Sequence, residues 1–270
     1  MHAILDQALP NLRPHLPVLL ASFAAFTFVH LVLVPLVGSV FFPSQWTRMT
    51  ARARNNWAVH VCSQLHAVVI IPLALRCVSL PELDTDRAFG WHEHSGTVQA
   101  VASGYFLWDS LDAIYNFENI GFVLHGVATF NLFLLPPLKP FLAYYASRCL
   151  LWETSTFFLN IHWALDKTNR TGGIVQLVNG SFLVLSFFSV RLMYGGWVSY
   201  QFFQTLYHGR HEIAPVAIAI TAIGNVLLQG LNWFWLAKMI VSLRKRFPSA
   251  KGGRTQNGTV ENGRHKNKSQ

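Results

Sequence analysis

Long apolar runs separated by short polar segments dominate the chain. Seven of them reach or approach the roughly 20 residues that a helix needs to cross a bilayer. They are Val18–Phe42, Trp57–Leu80, Thr97–Asn116, Ile120–Leu138, Pro140–Leu165, Gly173–Trp197 and Ile213–Leu243. The proline-rich segment Pro136–Pro140 predicts a tight turn between two antiparallel helices. This pattern predicts an all-α, polytopic membrane protein with seven transmembrane helices, without an internal repeat or a soluble domain.

The two ends of the chain differ from its middle. The first run is longer than the apolar segment of a cleaved signal peptide, which predicts a retained transmembrane helix over residues 18–42. Residues 1–17 are predicted to be a short lumenal N-terminus, and residues 244–270 a disordered, basic, cytosolic tail. The remaining spans, within residues 57–243, are predicted to form one membrane domain.

Composition agrees with this prediction. Of 270 residues, 52% are apolar and 12% are charged, which is about half the charged share of a soluble domain. This excludes a soluble enzyme, a disordered regulator and a collagen-like fibre. The three cysteines, Cys62, Cys77 and Cys149, lie in apolar runs. Cys62 and Cys77 share one predicted helix, about 22 Å apart, so they are predicted to be buried free thiols.

The charge pattern predicts the orientation. The net charge is +9, but from Arg244 onward eight Lys/Arg and one Glu place +7 of it in the tail, which argues against a nucleic-acid partner. The loops Pro43–Asn56 and Asp166–Gly172 are basic, whereas Pro81–Gly96 is acidic. With seven spans, every basic segment falls on one side. The N-terminus is then lumenal and the C-terminus cytosolic.

The last five residues match the K-x-K-x-x retrieval signal of endoplasmic reticulum membrane proteins, through Lys266 and Lys268. Coat machinery reads such a signal on the cytosolic side, in agreement with the charge pattern. The location predicted is the endoplasmic reticulum membrane. Glycosylation of the sequons at Asn257 or Asn267 would contradict this topology.

Ionisable groups inside the spans require a reason, because each charged residue at a helix centre costs about 2.5–3.5 kcal/mol on insertion. In the third span, polar side chains recur at helical spacing along one face: Tyr105, Asp109, Asp112 and Asn116. On other spans, His125 and Asn160 are predicted to lie about as deep as Asp112 and Asn116, His66 somewhat deeper together with Asp109, and Glu153 near mid-membrane. These groups predict a polar cavity open toward the cytosol. A lone His125 or Asn160 more often ties helices together, whereas two aspartates favour a cavity.

Other polar signals are weaker. Arg76 and Arg191 are predicted to lie near enough to the lumenal ends of their spans to extend to the interface. The histidine pairs His92/His94 and His208/His211 have metal-ligand spacing, but no third ligand completes a site, so no metal is predicted. The tryptophans of the last two spans are predicted to be interface anchors, namely Trp197, Trp233 and Trp235.

Three segments in order resemble the TLC domain, which ceramide synthases share with translocating-chain-associated membrane proteins and TLC domain-containing proteins. The segments are Gly104–Asp112, Phe122–Thr129 and Trp152–Asn160. The resemblance extends from about Asn56 to Leu243. It implies a six-helix barrel with a central cavity, formed by the second to seventh spans. The first span and the tail lie outside it.

The resemblance also implies what the chain lacks. The ceramide synthase signature begins with paired histidines, of which His125 matches the first and Gly126 stands at the second. Its later His-Asp and Asp positions correspond to Tyr144, Tyr145 and Arg148. These departures argue against ceramide synthesis and favour the branch that is associated with membrane lipid homeostasis, some members of which are implicated in acyl transfer to lipids.

The reaction predicted for an enzyme of this kind is acyl transfer from acyl-CoA to a membrane lipid, with no bound cofactor. His125 acts as general base or nucleophile, and Asp109 or Asp112 orients its ring. The residues predicted to bind the substrate are His66, Tyr105, Asn116, Glu153 and Asn160. The basic loop Arg48–Arg54 meets the phosphates of CoA or anionic lipid headgroups.

The alternative is a non-catalytic protein that binds or senses a lipid in the same cavity. The glycine at position 126 and the missing aspartates of the fifth span favour it. A CoA thioester or an acyl-histidine adduct in the cavity indicates the enzyme, and an intact phospholipid indicates the binding protein.

Overall fold

The computed structural model describes residues 11–246, with side chains described through residue 242, and within this range it contains helices and no strand. Its long helices each cover one predicted run: α1 (Leu12–Phe41), α2 (Ala51–Val78), α3 (Glu93–Tyr115), α4 (Ile120–Leu138), α5 (residues 143–167), α6 (Ile174–His208) and α7 (Pro215–Arg246). Short helices Pro43–Arg48 and Pro81–Thr85 precede α2 and follow it. The prediction of an all-helical protein is confirmed for these residues.

Three helices contain a change of helical type. A π-helical segment, Val29–Leu33, interrupts α1, and another, Phe187–Tyr194, interrupts α6. In α5 a 3₁₀ turn, Leu150–Trp152, precedes Glu153. Such segments inside long helices often mark functional positions, because they redirect the side chains on one side of the turn.

Two helices differ in their bounds from the prediction. Helix α1 begins at Leu12 rather than Val18, since Pro14 lies in its first turn, where a missing N–H costs no hydrogen bond. Helix α6 continues to His208 rather than ending near Trp197. Arg191 is therefore far from the end of its helix, in contrast to the predicted interfacial position.

Five helices of the described region are long and apolar enough to cross a membrane: α1, α2, α4, α6 and α7. Helices α3 and α5 are not among them. Helix α3 carries Glu93, Asp109 and Asp112, and α5 is interrupted by its 3₁₀ turn and carries Arg148 and Glu153. A multi-pass membrane protein is thus supported, and the count of seven spans stays a prediction.

The helices of the predicted membrane domain contact each other in a circuit. Helix α2 packs on α3, α3 on α4, α4 on α7, α7 on α6, α6 on α5, and α5 returns to α2. Helix α1 packs against α3 and α2 from outside this circuit. The large cysteine-containing core lies between these helices, and Cys62, Cys77 and Cys149 are buried free thiols, as predicted.

The two ends of the bundle differ in charge. We call the end that carries Arg48, Arg52 and Arg54 the basic end, and the end that carries the segment 79–92 the acidic end. At the acidic end this segment folds over the helices. Leu83 is fully buried, and Arg148 donates to the Asp84 carboxylate at 3.0 Å. The predicted retrieval signal (Lys266, Lys268) and the sequons at Asn257 and Asn267 lie outside the described residues.

Candidate functional site

A pocket of about 550 Å³ lies among α2 to α7 toward the basic end. Its lining extends from Asn116 and Lys238, which are exposed, inward to Glu153 and Arg191, which are buried. The volume is within the range of small-molecule sites in proteins. Below Glu153 and Arg191 lies a second void of about 10 Å³, with walls formed mainly by apolar side chains.

The lining of the pocket divides into two chemically different walls. Helices α2, α3 and α5 contribute most of the polar side chains, including Asn55, Ser63, Asp109, Asp112 and Asn160. Helices α4, α6 and α7 contribute the apolar and aromatic side chains Phe122, Phe187, Trp235 and Met239, together with the basic residues His125, Arg191 and Lys238. Trp235, which the sequence predicts as an interface anchor, lies in this second wall.

The structure brings most of the predicted site residues together. Seven of the eight line the pocket: Tyr105, Asp109, Asp112, Asn116, His125, Glu153 and Asn160. Three residues of α3 and Asn116, which caps its C-terminal end, form the stripe that helical spacing predicts. His66 is the exception, because it lies behind Tyr105, fully buried, with the two rings stacked at 3.7 Å. His66 therefore supports the pocket wall and does not face the pocket.

Asp112 is held by amides from two helices. The Asn116 side-chain amide donates to one carboxylate oxygen at 2.8 Å, and the Asn55 amide lies 3.5 Å from the other. His30 of α1 lies 3.8 Å from the same carboxylate. These contacts direct Asp112 toward α1 and α2.

The predicted contact between an aspartate and the His125 ring is not among those made by the described residues. His125 lies instead between aromatic rings, with ring centroids 5.2 Å from Trp235 and 6.2 Å from Phe106. Its Nδ1 is buried and has no hydrogen-bond partner in the described region. The Asp112 carboxylate is engaged by Asn55 and Asn116, and the role of Asp109 or Asp112 in orienting the His125 ring stays a prediction.

Gly126 explains one departure from the ceramide synthase pattern. A Cβ at this position would lie 3.0 Å from the Ser110 Cα and 2.9 Å from the Ser110 Oγ. The backbones of α3 and α4 are thus too close at this point for a histidine to fit without moving a helix. The missing histidine is part of the helix packing.

Arg191 is a pocket residue that the sequence interpretation assigned to the interface. It is 6% exposed and donates to Ser155 at 2.8 Å, to Thr156 at 2.9 Å and to Asn232 at 3.3 Å. Its guanidinium lies 3.8 Å from Glu153, whose other oxygen lies 3.8 Å from His66. The sequence feature that could have identified Arg191 as a site residue is its position inside an apolar run.

Two hydrogen bonds to side chains of α2 fix the position of Asn160 in the pocket wall. Its side-chain oxygen pairs with His60 Nδ1 at 2.7 Å, and its amide donates to Ser63 at 3.0 Å. The His60 ring stacks on Trp163 with centroids 3.8 Å apart. His60, Ser63 and Trp163 also line the pocket, although the sequence interpretation did not select them.

The histidines of the acidic end have local roles. His92 is the N-cap of α3, where its Nδ1 accepts from the His94 backbone N–H at 3.0 Å. His208 Nδ1 lies 2.8 Å from the Gln204 carbonyl oxygen, one turn back along α6.

Comparison with known proteins places this architecture in a family. Residues 56–241 match the TLC domain. The chain is 35% identical to an uncharacterized TLC domain-containing protein of Schizosaccharomyces pombe over 243 residues, which cover 88% of this chain and 82% of that protein. It is 29% identical to topoisomerase I damage affected protein 4 of Saccharomyces cerevisiae, with 86% and 85% covered.

Similarity extends to animals. The chain is 25% identical to the human TLC domain-containing protein 4 over 201 residues, which cover 71% of this chain and 75% of that protein. No solved structure gives a significant match to the chain. With most of its helical circuit matched, the chain belongs to the TLC domain family of membrane proteins.

Proposed function

We propose that this protein binds a membrane lipid in the pocket at the basic end and transfers to it an acyl group from acyl-CoA. The two unlike walls of the pocket carry this proposal. An amphiphile fits such a lining, with its polar group against Asp109 and Asn160 and its hydrocarbon against Phe122 and Trp235. The proposed setting is the endoplasmic reticulum membrane, where the protein serves lipid homeostasis.

In the proposed architecture, α2 to α7 form a six-helix barrel around the pocket and α1 crosses the membrane outside it, giving seven spans. The circuit of helix contacts supports this arrangement. The polar residues of α3 and α5 then face the barrel interior, which removes the cost of presenting carboxylates to lipid.

His125 is the proposed general base. In the proposed reaction a lipid hydroxyl attacks the thioester carbonyl carbon while the imidazole takes the hydroxyl proton. The new C–O bond forms, the C–S bond breaks, and the proton passes from the imidazole to the leaving thiolate, giving free CoA and the acylated lipid. His125 suits this role because it lines the pocket and its Nδ1 is unpaired.

Transfer of label tests the proposal. Purified protein in lipid nanodiscs is given acyl-CoA labelled in the acyl group together with a set of lysolipids. The wild type is expected to produce labelled lipid, and His125→Ala to lower the rate by at least about 100-fold, the usual contribution of a general base. His208→Ala is the matched control, because His208 is exposed at the acidic end, and it is expected to retain full activity.

A non-catalytic lipid-binding protein is the second candidate. Its supporting observation is that the buried His125 Nδ1 has no hydrogen-bond partner among the described residues, whereas catalytic histidines are commonly oriented by a third group. Native mass spectrometry of the purified protein separates the two functions. Retained phospholipid without any transfer of label in the wild type would favour the binding protein and contradict the enzyme.

A further inference from the structure

Helix α1 lies outside the matched TLC domain, yet polar contacts join it to α3 and its flanking segment along its length. His15 pairs with Glu93 at 3.0 Å, and Ser22 donates to the Val101 carbonyl oxygen at 2.7 Å. Polar bonds of this kind between membrane helices fix both position and rotation. The first of these contacts is near the acidic end, and His30 makes further contacts near the basic end.

His30 lies on the side of α1 that meets α3 and α2. Leu19, which is buried on this side, lies 11 residues before His30, a separation of three helical turns and a rotation of about 20°. The π-helical segment Val29–Leu33 begins beside His30. His30 is accordingly buried, as are Val34 and Gly38 after it.

The hydrogen bonds of His30 have a defined direction. The Trp108 indole can only donate, and its Nε1 lies 3.2 Å from His30 Nδ1, so this nitrogen accepts. The proton of a neutral ring is then on Nε2, which donates to the Asn55 Oδ1 at 2.7 Å. With its oxygen engaged, the Asn55 amide nitrogen faces the Asp112 carboxylate.

Asn55 and Asp112 both line the pocket, so the chain of contacts from α1 ends in the pocket wall. We propose that His30 is a positioning residue of this pocket: through its Nε2–H it fixes the Asn55 side chain, and through Asn55 it fixes the Asp112 carboxylate. The helix outside the matched domain thereby completes the polar wall. Asn116, which donates to both Asp112 and Asn55, is the remaining member of this network.

Access to a thiol placed in the wall tests this role. Ala113 lines the pocket beside Asp112, and the native cysteines are buried. In protein carrying Ala113→Cys, the rate at which a water-soluble methanethiosulfonate reagent labels the introduced thiol is measured by mass spectrometry. The measurement needs no lipid, so its failure is distinguishable from failure of the proposed function.

Three substitutions of His30 distinguish the contributions of its two hydrogen bonds, the one through Nδ1 and the one through Nε2. His30→Gln keeps a donor near the Nε2 position, His30→Asn keeps only a group near Nδ1, and His30→Phe keeps neither. We expect Asn and Phe to raise the labelling rate about 2- to 10-fold, the equilibrium factor of one net hydrogen bond, and Gln to leave it within about twofold. If the Phe variant does not fold, Gln and Asn, which differ by one methylene, carry the comparison.

Ser22→Ala is the matched control, because Ser22 bonds α1 to α3 without contacting the pocket lining. It is expected to leave the labelling rate unchanged. Equal rates in the parent and in all three His30 variants would overturn the proposal. An equal acceleration by Ser22→Ala would overturn it too, because the effect would then belong to α1 docking in general.

Discussion

The inner end of the pocket depends on the pairing of two charged residues, Glu153 and Arg191. The guanidinium makes three hydrogen bonds to neutral side chains, whereas the carboxylate has its two cationic or ionisable neighbours at 3.8 Å. Arg191 is thus held by hydrogen bonds and Glu153 chiefly by charge. Removing the arginine leaves the buried carboxylate with His66 alone beside it, and losing the permanently charged partner is the costly half of breaking a buried pair.

We therefore expect Arg191→Met to lower the free energy of unfolding by about 3–5 kcal/mol. The double substitution Glu153→Gln with Arg191→Met removes both charges and is expected to recover more than half of this loss. The readout is the midpoint of thermal unfolding in one detergent, followed by size-exclusion fluorescence.

Arg76→Met is the control for this pair, because Arg76 is exposed on α2 near the acidic end. Its unfolding midpoint is expected to match that of the wild type. A double variant as unstable as Arg191→Met would show that the pair contributes through shape or hydrogen bonds, and would contradict the electrostatic explanation.

At the scale of helices, α1 and α3 approach so closely that a glycine is required between them. A Cβ on Gly104 would lie 2.4 Å from the Leu19 carbonyl oxygen and 2.8 Å from the Phe23 nitrogen. Both are backbone atoms, so a side chain at position 104 must move a whole helix. Helix α1 also shields a cysteine of α2, since the Cys62 thiol lies 3.6 Å from the Phe26 carbonyl oxygen of α1.

Gly104→Val is expected to separate α1 from α3, to destabilise the protein by about 1–3 kcal/mol and to expose Cys62. The measurement is alkylation of the Cys62 peptide, followed over time by mass spectrometry. Gly224→Ala is the matched control, because a Cβ there meets no atom within 4 Å, and it is expected to be neutral or slightly stabilising. Unchanged protection of Cys62 in Gly104→Val would refute the close-contact argument.

Helical spacing was sufficient to predict which face of α3 lines the pocket, but not which side chains of other helices contact that face. Tyr105, Asp109, Asp112 and Asn116 share a face in any regular helix, so the stripe follows from the sequence. The hydrogen-bond partners of Asp112 do not follow from the sequence, because they depend on how α1 and α2 are rotated about their axes. The apolar patterns of these two helices do not determine that rotation. Arg191 was misplaced for a related reason, since neither the length of α6 nor its π segment is visible in hydropathy.

At the scale of the whole molecule, the two ends of the bundle have different roles. The acidic end is covered by the segment 79–92, whose Leu83 is buried against the helices. The basic end contains the pocket, beside Arg52, which pairs with the pocket residue Glu118 at 3.3 Å. If the positive charges mark the cytosolic side, the pocket opens to the compartment that holds acyl-CoA. The orientation of the chain therefore decides whether the proposed co-substrate can reach the site.

The tail supplies an independent measure of that orientation and of the proposed location. Lys266→Ser with Lys268→Ser removes the K-x-K-x-x pattern and is expected to move the protein from the endoplasmic reticulum to later compartments of the secretory pathway, because the receptor reads these lysines in the cytosol. The measurement is colocalisation with compartment markers in cells. Lys251→Ser with Arg254→Ser removes the same charge elsewhere in the tail and is expected to leave the location unchanged.

Glycosylation of the tail would contradict the predicted cytosolic position of the C-terminus. Asn257 and Asn267 lie in N-x-[ST] sequons, and glycosyltransferases act in the lumen, so a cytosolic tail is expected to remain unmodified. The readout is the gel mobility of the protein before and after endoglycosidase treatment. A mobility shift that Asn257→Gln with Asn267→Gln abolishes would place the tail in the lumen. The basic end and its pocket would then be lumenal, away from cytosolic acyl-CoA, and the acyl-transfer proposal would lose its donor.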